Sequence, residues 1–70
     1  MHNGRLIRIS KYRGDPHMAA YIVAIAFPDK AIELVRAQIA APDDEVEDLG
    51  RVSDALLMAL NLGVGEYTRT

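Results

Sequence analysis

Nine consecutive residues, Ala19 to Phe27 (AAYIVAIAF), carry no charged side chain and leave no polar face in either regular conformation. The run is rich in Tyr21, Ile22, Val23, Ile25 and Phe27, β-branched and aromatic types that crowd a helix and suit a pleated strand, so a strand is the better reading. A buried helix competes with it, because short apolar runs cannot be assigned by periodicity alone. As a strand, the run places Tyr21, Val23, Ile25 and Phe27 on one side and Ile22, Ala24 and Ala26 on the other, so both sides must be covered.

Covering two faces is demanding for a chain of 70 residues. A domain of this length holds at most one core, and the cost of ordering the chain consumes nearly all that such a core supplies. The chain has no cysteine, which rules out a disulfide, a thiolate metal site and a cysteine nucleophile. His2 and His17 are its two histidines, too few for an expected structural zinc site. Self-association is the remaining way to support a core this small. Half the residues are apolar and the net charge is −2, a balance that argues against intrinsic disorder. No apolar run reaches the roughly 18 residues that cross a bilayer. The polar, alternating start from Met1 to Arg13 is unlike a signal peptide. The expectation is one small soluble cytoplasmic domain spanning residues 1–70.

Arg5 to Tyr12 alternate, with Ile7 and Ile9 opposite Arg8 and Ser10, which predicts a first, half-buried strand paired antiparallel with the apolar run. Arg13, Gly14, Asp15, Pro16 and His17 between them have turn chemistry. The Arg13-Gly14-Asp15 tripeptide of integrin-binding ligands is read here as part of that turn. Pro28 and Asp29 look like a helix start, with Asp29 as N-cap. The spacing of Ile32, Val35 and Ile39, widened by Ala31 and Leu34, predicts a helix to Ala40 with Lys30, Glu33 and Arg36 facing water.

Asp43, Asp44 and Glu45 suit the first turn of a second helix, whose stripe would run through Val46, Leu49, Ser53, Leu56, Leu57 and Leu60. Gly50 interrupts it at a cost of about 1 kcal/mol relative to alanine, and a broken helix would leave Ser53 to cap the second piece. Gly63 is the expected left-handed C-cap. Glu66 to Thr70 have strand-forming types and room for a short third strand. The fold expected is therefore α+β, an antiparallel β-hairpin packed against two α-helices in the order ββαα(β). Its core would comprise Ile7, Ile9, Val23, Ile25, Phe27, Ile32, Val35, Ile39, Val46, Leu49, Leu56 and Leu60.

Charge is segregated along the chain. Residues 1–17 carry Arg5, Arg8, Lys11 and Arg13 against Asp15, a net of +3; residues 43–70 carry seven acids against Arg51 and Arg69, a net of −5. Arg5, Arg8, Lys11, Tyr12 and Arg13 form a candidate nucleic-acid contact. The competing reading is a solvated strand face whose charge meets the acidic segment, within one chain or between two. Overall acidity and the lack of zinc-finger spacing or paired stacking aromatics favour the second.

Asp15 and His17 lie two apart, and Ser10 and Ser53 complete a nucleophile–base–acid inventory on paper, without a nucleophile elbow or a phosphate-binding loop. Asp43 and Asp44 read as helix caps. Asp15, His17 and His2 would need a further acid to hold a metal. No catalytic residue, cofactor or metal is assigned, and none of these motifs carries a resemblance to a known family. The leading functional expectation is a non-enzymatic protein-interaction module, a homodimer joined through the sheet face of Ile22, Ala24 and Ala26, against the alternative that one helix lies on each face and the monomer is complete. Nucleic-acid binding through the basic strand is the alternative, and a small enzyme using Asp15 and His17 ranks last.

Overall fold

A computed structural model describes residues 3–70. The elements are β1 (Gly4–Ser10), β2 (Ala19–Val23), α1 (Pro28–Gln38), β3 (Glu45–Val52), α2 (Asp54–Ala59) and β4 (Tyr67–Arg69). Among the described residues the strands form one antiparallel sheet in the order β3-β1-β2-β4. The chain is α+β, but the expected hairpin on two helices is corrected. The order is ββαβαβ, and the hairpin is the middle of a four-stranded sheet.

In the hairpin, Ile7 pairs with Tyr21 and Ile9 with Ala19. The connecting turn is built around Asp15, a buried carboxylate that accepts the backbone N–H of His17 at 2.9 Å and of Lys11 at 3.1 Å. β2 stops at Val23, short of Phe27. Pro28 takes the first helical position and restricts Phe27 to extended backbone. Phe27, expected in the core, is instead the 70% exposed N-cap of α1. Asp29, expected as the cap, lies in the first turn, where its charge complements the helix dipole.

The larger correction concerns the acidic segment. Residues 45–52 form a strand paired with β1, not the start of a second helix. In a helix, Asp43 and Glu47, and likewise Asp44 and Asp48, would stand four residues apart as like-charged neighbours. Extended beside β1, Asp48 and Glu47 reach Arg5 and Arg8 instead. Gly50 has φ +144°, a conformation outside the helical region that glycine tolerates. The register slips between Leu6↔Gly50 and Ile7↔Asp48, so Leu49 is the extra residue of a β-bulge. Asp48 Oδ1 accepts the Gly50 N–H at 3.1 Å and fixes the bulge.

The helix that does form is only the later piece. Ser53 caps α2, its hydroxyl accepting the Leu56 N–H at 3.2 Å. The left-handed residue after it is Asn61, at φ 59°, and not Gly63. The C-terminal segment does add a strand. Tyr67 pairs with Val23 and Arg69 with Tyr21, and Ala24 continues the ladder by donating to the Glu66 carbonyl and accepting from Gly65.

The helices lie on opposite faces of the sheet. Under α1, Ile7, Ile9 and Val23 pack with Ala31 and Val35, and Tyr21, Ile25, Ile32, Ile39 and Val46 surround them. Under α2, Ile22 and Ala24 pack with Val52 and Leu57, beside Leu6 and Leu62. The apolar run thus feeds both cores by alternation. Leu49, Leu56 and Leu60, expected in the core, are exposed, while Ile22, Ala24, Val52 and Leu57 take their place.

Candidate functional site

The basic strand lies against the acidic segment of its own chain. Antiparallel pairing brings Arg5 beside β3, where its guanidinium grips Asp48 through two of its nitrogens, Nη2 to Oδ2 at 2.6 Å and Nε to Oδ1 at 3.2 Å. Arg8 pairs with Glu47, its cross-strand neighbour. Lys11 Nζ reaches Asp44 Oδ1 at 3.0 Å. The hydrogen bond from Arg5 holds the Asp48 carboxyl below its ordinary range, against the opposing effect of burial. The Ala41 N–H and then Lys11 do the same for Asp44, and Asp44 in turn raises Lys11. Three cations of the candidate nucleic-acid contact, Arg5, Arg8 and Lys11, are therefore engaged internally. Tyr12 and Arg13 are exposed at the hairpin tip.

Asp15 and His17 do not form an acid–base pair through their side chains. The Asp15 carboxylate accepts the His17 backbone N–H, and this bond is the leading reason its pKa is lowered. Ser10 is a buried β1 residue and Ser53 caps α2, and among the described residues neither hydroxyl is hydrogen-bonded to Asp15 or His17. Asp44 caps a turn by accepting the Ala41 N–H at 2.9 Å, which replaces the expected helix-capping role. His2 lies outside the described residues. Among the described residues no group of three or more histidine, cysteine or acidic side chains could hold a metal ion.

Of the expected interface residues, Ile22 and Ala24 are buried beneath α2, and Ala26 is half-buried in the bend before α1. The face expected to be open is closed by the chain's own helix. The apolar surface left exposed is that helix itself. Beyond Asp54, α2 and its C-cap read Ala55, Leu56, Leu57, Met58, Ala59, Leu60, and Leu57 is the α2 residue that is buried. At 100° per residue, Ala55 and Ala59 form the crest opposite Leu57, with Met58 on one flank and Leu56 and Leu60 on the other. Met58 is 72% exposed. Phe27 and Val64, equally exposed, adjoin the segments tied together by the Ala24–Gly65 hydrogen bond, at the same end of the sheet. This surface was missed in the sequence because one long stripe assigned Leu56 and Leu60 to the core; the unbroken apolar run from Ala55 to Leu60 was the signal for it.

The sheet edges are poor docking sites. β3 bears Glu45, Glu47 and Asp48 and is interrupted by the bulge at Leu49, and β4 is three residues long. Charge, bulging and shortness are the devices that discourage edge pairing. Among the described residues, no helix is long and apolar enough to cross a membrane. Comparison with protein-family models, with curated proteins and with solved structures finds no match for the chain.

Proposed function

We propose that the protein is a non-enzymatic interaction module that pairs with a second copy of itself through the outer side of α2. The observation that carries this reading is a helix whose residues after Asp54 are all apolar, which buries Leu57 and leaves Leu56, Met58 and Leu60 in water. A helix apolar all round belongs in an interior, and this one has half an interior. Two further features favour a second copy. Ala55 to Leu60 carry no charge, so two such surfaces meet without like-charge repulsion, and the alanine crest lets two helices approach closely. Six residues and their neighbours make a patch smaller than the roughly 20–30 residues a side of a standard specific interface, so the expected dimer is weak and concentration-dependent. The cytoplasmic location expected from the sequence goes with this reading.

Sedimentation velocity from low to high micromolar concentration tests it. Met58→Lys and Ala59→Lys leave Leu57 in place and are expected to abolish a concentration-dependent dimer while preserving the circular dichroism spectrum. Wild-type protein that sediments as a monomer throughout overturns the proposal. The nucleic-acid alternative has less to draw on, since its Arg5, Arg8 and Lys11 already hold carboxylates.

A further inference from the structure

α2 covers one end of its sheet face, over Gly4, Leu6, Ile22 and Val52. The same face continues beyond it, because Arg8 and Ser10 follow Leu6 at the strand period of two, and their cross-strand partners are Glu47 and Glu45. There the surface dips into an open cleft of about 230 Å³ lined by Arg8, Ser10, Arg13, Glu45, Val46 and Glu47. Its volume is below the roughly 300–1,000 Å³ of pockets for drug-sized ligands, so it suits a molecule of a few heavy atoms.

The charges in the cleft restrict the chemistry of that molecule. Two guanidiniums and two carboxylates cancel, and Arg8 is paired with Glu47. Arg13 and Glu45 have no ion-pair partner among the described residues. A simple anion would meet Arg13 but also two carboxylates; a simple cation would meet Glu45 but also two guanidiniums. A small molecule with one charge of each sign can satisfy both unpaired groups at once. We infer that this cleft is a subsite for a small zwitterion of the free amino-acid class, its carboxylate held by Arg13, its ammonium by Glu45, and the Ser10 hydroxyl supplying a neutral hydrogen bond.

The cleft lies away from α2, so its occupancy and the self-association proposed above are separable. Because the groups are solvated, the interaction is weak, and the suitable probe is glycine titrated into isotopically labelled protein and followed by amide NMR shifts. Expected are saturable shifts at Ser10, Arg13, Glu45 and Glu47 with a millimolar midpoint, absent with acetate or methylammonium at equal concentration and ionic strength. Arg13→Gln and Glu45→Gln change exposed side chains and should each weaken glycine binding about fivefold with unchanged circular dichroism. Equal shifts with acetate, no saturation at tens of millimolar, or no effect of either substitution would overturn the assignment.

Discussion

Gly4 lies directly beneath Leu57. A Cβ placed on Gly4 would stand 3.0 Å from Leu57 Cδ2 and 2.6 Å from the Val23 carbonyl oxygen, and the carbonyl is backbone that cannot step aside cheaply. Gly4→Ala is therefore expected to destabilise the fold by roughly 1–3 kcal/mol, the usual cost of overpacking. Leu57→Ala, which empties the cluster under α2, should cost roughly 2–5 kcal/mol. Urea unfolding followed by circular dichroism measures both; a Gly4→Ala variant as stable as wild type would mean that the α2 seat is loose.

Asp48 serves two partners, accepting from Arg5 and from the Gly50 N–H. Asp48→Asn keeps an acceptor for Gly50 and loses the ion pair, and is expected to cost about 1–2 kcal/mol for a partly buried charge-assisted contact. Asp48→Ala removes both and should cost more. The order of the two midpoints in chemical denaturation checks the double role.

Acid should weaken the fold through Asp15, Asp44 and Asp48, whose pKa values all lie below the ordinary carboxylate value. Between the folded value and the unfolded one near 3.9, the unfolded chain binds more protons, so stability rises with pH. Their contribution is complete above the unfolded value and is lost as pH falls through the folded ones. Thermal melts should be nearly flat from pH 7 to about 5 and fall steeply below about 4. Asp48→Asn should make that fall shallower. Lys11, raised by Asp44, adds the opposite limb, present below its unfolded pKa and lost as pH climbs through the folded one.

His17→Ala is expected to leave the melting temperature unchanged, because the contact that orders the hairpin turn uses the His17 backbone and not its imidazole. Asp15→Ala removes the acceptor of two backbone N–H groups and should lower the melting temperature clearly. Equal losses in the two variants would show that the imidazole also takes part.

The hairpin and α1 were legible because their signals are local: alternation at Ile7 and Ile9, turn residues from Arg13 to His17, and helical spacing at Ile32, Val35 and Ile39. The segment from Asp43 to Val52 was not, because Val46 and Leu49 fit a helical stripe as well as a strand. What decides between them is a relation across the chain, Arg5 with Asp48 and Arg8 with Glu47. The charge segregation of +3 against −5 pointed to that relation but could not say whether it ran within one chain or between two. Of the site, the two-sided apolar strand correctly demanded two covers. The sequence reading left one of them to a second molecule, whereas α2 supplies it and moves the unsatisfied apolar surface one layer outward.

The strand order β3-β1-β2-β4 has a consequence for how the molecule opens. β1 and β2 are hydrogen-bonded on both sides, whereas β3 and β4 are each bonded on one. Amide hydrogen exchange should therefore be slowest at Ile7, Tyr21 and Val23, whose groups bond across the central β1–β2 pair, and fastest at Tyr67 to Arg69, with β3 between because its bulge interrupts the ladder. Local opening would begin by peeling β4 from β2, baring the β2 edge while the β1–β2 hairpin persists. A protease acting on the native protein would accordingly cut first between Asn61 and Glu66, the connection that such peeling frees.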